Sequence, residues 1–275
     1  MNFEALFQQP NALPAAPKVV QELITSFRDE NVSADSIVRK LATDPVLSAK
    51  LLRLANSAYY HISRSVSTVN EAVSMLGFAT VRTVVISSGL VNGFKSTPGL
   101  DLNQFWRYSL NTAVAAKWLA KRVRENTDLA FTVGMMHGIG QLVIHLGMPE
   151  QACLLDKQVA FSDACRFDAE RAALGYDYAE VGAELAVRWM FPNAFSDAIR
   201  AFPKPLAHQP FMPMAAIIHL ATWLARANEN KLTPDEVHAT CPTEIAARLG
   251  LDPRLMLDEM PPLAELSNGL EDLLA

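Results

Sequence analysis

His137, Gln141 and His145 follow one another at four-residue steps. That spacing lines them along one face of a helix. A His-x-x-x-His pair would let two imidazoles converge on one ion. Here glutamine holds the middle place, and the histidines stand about 12 Å apart along the axis, so they cannot share an ion. Both read foremost as core histidines satisfied by hydrogen bonds, with a ligand role the alternative, less remote for His137 than for His145. Glu170, Asp177, Glu180 and Glu184 supply carboxylates. Glu180 and Glu184 share a face, and exposed ion pairs explain them equally well. Lys117, Lys121, Arg122 and Arg124 form a basic cluster whose spacing fits a solvated helix end. The chain has no G-x-G-x-x-G after a strand, no G-K-[ST] and no G-x-S-x-G elbow. None of Cys153, Cys165 and Cys241 has a neighbouring histidine that suggests a nucleophilic pair.

The elements that would position these groups are helical throughout. Val19, Val20, Leu23, Ile24 and Phe27 make one apolar face. Ser33 and Asp44 read as N-caps, Pro45 sits in a favoured first-turn position, and Thr68 with Glu71 reads as a capping box. The periodicity predicts helices over about 33–42, 45–56, 78–93, 106–123, 129–147, 162–174, 177–190, 194–202, 213–229 and 254–267. Val81–Ser88 is the one β-like stretch, and its flanks favour a buried helix. A composition break at Lys95-Ser-Thr-Pro-Gly99 divides the chain into lobes of about 1–95 and 100–275. Gly134, Gly138 and Gly140, inside an apolar helix, mark close packing.

Composition bounds the function classes. The chain has 275 residues, half of them hydrophobic and 19% charged, with a formal net charge of −5. Mean hydropathy is +0.12. Disorder needs the opposite balance. A general nucleic-acid binder carries a basic excess, which is missing here. Leu129–Pro149 has no formally charged residue and is long enough to span a bilayer, at ~20 residues. Its glycines, two histidines and glutamine make it a buried core helix instead. Three cysteines without a C-x-x-C point to a reducing compartment, and the N-terminus lacks a secretory pattern, so a cytoplasmic location is expected.

Six segments in order resemble the HDOD family, the HD-related output domains of bacteria. They are Leu13–Pro17 (LPAAP), Leu41–Tyr59 (LATDPVLSAKLLRLANSAY), Val66–Gly77 (VSTVNEAVSMLG) followed by Val81-Arg82, Phe105–Leu110 (FWRYSL), Gly134–Leu142 (GMMHGIGQL), and Leu174–Leu185 (LGYDYAEVGAEL) ending at Trp189 and Pro192. The resemblance covers roughly residues 10–205. It implies an all-α fold in which an N-terminal helical bundle packs on a lobe like that of HD phosphohydrolases. Those enzymes hold one or two metals through a histidine, a His-Asp pair and a later aspartate, which activate water for attack on a phosphoester.

Carried onto this chain, the first histidine falls at Tyr108 and the His-Asp pair at His137-Gly138. The lysine that often follows falls at Gln141, and the last aspartate falls near Thr222. Histidines that often follow the Asp197–Arg200 segment are replaced by Ala201 and Phe202, and the one after the G-x-D element by Tyr178. Only His137 remains of the metal set, so no metal or other cofactor is expected. The resemblance therefore implies a non-catalytic signalling module whose partner is a signalling protein or a small ligand. A metal-dependent phosphohydrolase with an atypical site is the alternative; His137, Glu170, Asp177 or His219 would then have to supply ligands. Tyr108, His137, Gln141, Asp177 and Thr222 are expected to line the remnant pocket and hydrogen-bond to one another or to water. Asn56, Tyr59 and Tyr60 are expected to form an interaction turn beside a groove between the lobes or, equally, a helix C-terminal cap by Asn56 with the tyrosines packed locally.

Overall fold

The computed structural model describes residues 2–9, 18–25, 34–60, 65–94 and 96–274. The Leu13–Pro17 segment, Phe27 and Ser33 lie outside them. No strand occurs among the described residues. The N-terminal half carries α1 (Phe3–Phe7), α2 (Lys18–Thr25), α3 (Ala34–Thr43), α4 (Pro45–Ala55), α5 (Val69–Leu76) and α6 (Phe78–Gly93). Then follow α7 (Leu102–Val123), α8 (Thr127–Met136), α9 (Ile139–Gly147), α10 (Pro149–Asp156), α11 (Arg166–Leu174), α12 (Tyr178–Arg188), α13 (Asn193–Ala201) and α14 (Pro213–Glu229). The chain closes with α15 (Pro234–Thr240), α16 (Thr243–Arg248), α17 (Pro253–Glu259) and α18 (Leu263–Ser267).

Local chemistry starts the helices where the sequence says it should. The Asp44 carboxylate accepts from the amides of Val46 and Leu47, each at 3.0 Å, ahead of Pro45. Thr68 and Glu71 form the reciprocal capping box of α5. Asp101 caps α7 and Asn126 caps α8. These caps satisfy amides that would otherwise lack partners. Val81–Ser88 lies inside α6, as its flanks required.

The centre of the fold is α7 packed between α8 and α14, with α12 laid on α9 and α13. Two glycines permit the closest approaches. A Cβ at Gly140 would collide with the Tyr178 carbonyl of α12, and one at Gly134 would stand 2.6 Å from the Cα of Ala113 in α7. Close packing is therefore what these glycines provide. One continuous apolar core joins the halves, with α6 against α8. The chain ends also cross over: α1 packs on α9, and Glu271–Leu273 on α4 and α6.

The expected single helix over 129–147 is two helices, broken at His137-Gly138. The His137 ring takes the Gly134 carbonyl at 2.6 Å, and Gly138 sits at φ −93°, ψ 0°. A carbonyl that would serve the backbone ladder serves a side chain instead. Thr127–Gly147 retains the length and apolarity of a span, but 89% of its most apolar window is buried inside the protein. The expected helix over 254–267 is likewise two, because Pro261 and Pro262 donate no amide and disfavour helix before them. Short helices α10, α15 and α16 were not marked by the periodicity.

Candidate functional site

Three elements of the C-terminal half bring together the residues that the resemblance puts at a metal position: the middle of α7, the α8–α9 break, and α14. Tyr108 of α7 meets the His137 ring edge-on, with centroids 5.3 Å apart. Its hydroxyl donates to the Thr222 carbonyl of α14 at 3.3 Å. Burial pushes the Tyr108 phenol up, and the Arg226 guanidinium beside it pulls partly the other way. Burial, aided by Arg226, lowers His137 to about 4 despite its bond to the Gly134 carbonyl. His137 is therefore neutral at pH 7, with Nδ1–H donating to Gly134. Thr222 turns its hydroxyl back to the His219 carbonyl at 2.8 Å, which ties it to its own helix.

Aromatic rings close the remaining space. Phe161 packs edge-on against Tyr108 and Phe202 against His137. Phe105 fills the space beside Gly138. A Cβ there would lie 3.2 Å from its ring, closer than side chains normally approach. Gln141 does not bond to the other pocket groups; its amide donates to the Phe161 carbonyl at 2.7 Å. It reaches a loop 20 residues away, which no spacing along one helix could reveal.

Asp177 also departs from the expected network. It caps α12, accepting from Ala179 and Glu180 amides at 2.9 Å, and pairs with Arg171 at 2.8 Å. A local capping role satisfied the carboxylate before it could face the pocket. Glu180 shares Arg171, and Glu184 pairs with Arg188, so the paired carboxylates are helix-end ion pairs. Asn56 staples its turn shut: its side chain donates to the Leu52 and Val66 carbonyls and accepts from the Val66 amide at 2.7 Å. Tyr59 and Tyr60 stack edge-on, and the Lys117 ammonium of α7 lies 5.3 Å from the Tyr59 ring. The turn thus packs where the N-terminal half meets α7.

A second polar cluster lies close by. Arg166, fully buried, binds Glu170, Asp156 and the Val159 carbonyl, each at 2.7 Å. Glu170 accepts the Tyr178 amide at 2.7 Å with its other oxygen. Burial, outweighing Arg166, pushes Glu170 up to about 7. His145 donates to the Pro98 carbonyl at 2.9 Å and faces Asp156 at 3.4 Å. Burial acts to raise Asp156, but His145 and Arg166 outweigh it and hold the carboxyl below its usual range.

The donor set does not fit a divalent metal. Tyr108, Gly138 and Thr222 offer neither a carboxylate nor an imidazole, and the nearby carboxylates are engaged, Glu170 and Asp156 by Arg166 and Asp177 by Arg171. Among the described residues no three of His, Cys, Asp and Glu gather as ligands. The sequence reading missed Arg226. It follows Thr222 by one turn on α14, and its Nε donates to the Ser162 carbonyl at 2.7 Å. The spacing was visible; its direction was not. His219, Thr222, Arg226 and Trp223 line one wall of a cavity of about 400 Å³, faced by Tyr178 and Phe202.

An all-helical protein with an HD-like helical core is the class so defined. The HDOD domain family model matches residues 13–205, and the chain belongs to that family. A solved Shewanella amazonensis protein with a provisional phosphohydrolase name is 34% identical, with 98% of each chain covered and a TM-score of 0.81. An HDOD domain protein of unknown function from Geobacter sulfurreducens shares the fold at 24% identity and TM-score 0.74, covering 95% of this chain and 91% of that one. A Marinobacter aquaeolei protein with a provisional signal-transduction name also has a TM-score of 0.74 at 24% identity, covering all of this chain and 60% of that one. An uncharacterised Treponema pallidum protein is 26% identical over 218 residues, 78% of this chain. The chain spans about two fifths (42%) of that curated relative's length.

Proposed function

We propose that the protein is a non-catalytic regulatory module of signal transduction that acts by binding a small ligand or a signalling protein. The observation that carries this reading is the Phe105 ring against Gly138. The backbone position that gives HD enzymes their aspartate is Gly138 here; it lacks the carboxylate, and a Cβ added there would crowd the Phe105 ring at 3.2 Å. Metal sites depend on the full ligand set, worth roughly 10 kcal/mol or more for structural zinc. One neutral histidine cannot hold an ion against dialysis. A Shewanella relative named for phosphohydrolysis favours the rival reading, but a name does not supply ligands. The free thiols of Cys153, Cys165 and Cys241 suit a reducing, cytoplasmic setting.

The test is hydrolysis of bis(p-nitrophenyl) phosphate with added manganese or ferrous iron, by wild type and by Gly138→Asp. No turnover by either is expected, since Tyr108 and Thr222 remain. Chelator-sensitive turnover by the wild type would overturn the reading.

A further inference from the structure

The 400 Å³ cavity beside the former metal position has one charged group in its wall, Arg226. Arg226 is half-buried. Its Nε is held by the Ser162 carbonyl, so the guanidinium is fixed in place. Among the described residues it forms no ion pair; Glu229, three residues on, is bound to Arg107 at 3.0 Å. No aspartate or glutamate lines the cavity. Burial, against its bond to the Phe202 carbonyl, lowers His219, so this imidazole is neutral at pH 7 and brings no second charge. The other walls include the aromatic side chains of Phe167, Tyr178, Phe202 and Trp223.

A fixed cation without a carboxylate, in an apolar recess, costs desolvation unless an anion joins it. Arginine binds carboxylate and phosphate oxygens in a planar fork and tolerates low polarity. The volume falls within the range of small-molecule sites, about 300–1,000 Å³.

We propose that this cavity is a binding site for a small ligand that joins an oxyanion, carboxylate or phosphate, to a flat aromatic body, with Arg226 holding the oxyanion. The proposal rests on the non-catalytic reading and names the ligand class of that module. The aromatic body lies among Phe167, Phe202 and Trp223, and the exposed members of the lining include Ala164, Asn230 and Thr240.

Calorimetric titration of the full chain with 2-naphthoate, 2-naphthyl phosphate and the neutral 2-naphthamide tests this. One site is expected, with at least one anion bound tenfold or more tightly than the amide, and the preferred anion separates carboxylate from phosphate ligands. Arg226→Gln should erase the preference, Arg226→Lys should keep part of it, and Ala164→Trp in the exposed part of the lining should weaken all three. Equal affinity for anions and amide on the wild type, which needs no variant to fold, would overturn the proposal. So would no binding of either anion, or unchanged anion binding by a folded Arg226→Gln. Chelator-sensitive release of 2-naphthol from the phosphate would instead contradict the non-catalytic reading, and anion binding would still stand.

Discussion

Two buried polar regions sit side by side in the C-terminal half and treat charge in opposite ways. Around His137 the side chains are uncharged, aromatic rings fill the gaps, and the nearest charge is the Arg226 cation. Around Arg166 the chain buries a full guanidinium and answers it with Glu170, Asp156 and a carbonyl. The first region occupies the place of a metal; the second clamps α11 to the end of α10 and, through the Tyr178 amide, to the start of α12. The difference teaches that buried carboxylates near an HD-type centre are not by themselves a ligand set. Here Glu170 and Asp156 are taken by an internal cation, and Tyr108, Gly138 and Thr222 stand where the resemblance puts metal ligands.

The largest expected effect comes from breaking the charged region. Arg166→Met leaves Glu170 buried without its cation and should cost about 3–5 kcal/mol. Chemical denaturation would measure it, and a loss near zero would deny the clamp. The two regions should also respond oppositely to pH. His137 has a folded pKa of about 4, below its unfolded value of 6.5. Its stabilisation is present above pH 6.5 and is lost as pH falls through 4, by about 3 kcal/mol in all. Glu170 has a folded pKa raised to about 7 from 4.5. Its stabilisation is present below pH 4.5 and is lost as pH rises through 7. His137→Phe should flatten the acid limb of the stability profile and Glu170→Gln the limb toward neutral pH. Variants that leave both limbs as in the wild type would dissolve the contrast. The smallest effect expected is for Gly138→Asp, where crowding against Phe105 should cost about 1–3 kcal/mol. A neutral or stabilising result would show room for the missing carboxylate.

The periodicity of the sequence placed α14 at its observed bounds and α4 within a residue, because caps, prolines and apolar faces act locally. It missed the α8–α9 break, since the His137 ring's hold on Gly134 is a geometric choice that spacing does not encode. The resemblance placed Tyr108 and Gly138 inside recognisable segments, whereas Thr222 lies beyond residue 205, past the last of them. Asp177 and Gln141 were misjudged for one reason. A polar side chain takes the nearest partner: for Asp177 this is a helix start that its spacing to Glu180 already marked, and for Gln141 a loop carbonyl that only the folded chain brings near. Phe105 and Arg226 went unnoticed because apolar filling and a lone guanidinium acquire meaning only from what faces them.

Whether the HD-type centre holds a metal is read most directly by elemental analysis of untagged protein, purified and dialysed against chelator. The account predicts iron, manganese, zinc and magnesium each well below one equivalent per chain, with no calorimetric uptake of manganese afterwards. One tightly held transition metal per chain would contradict it.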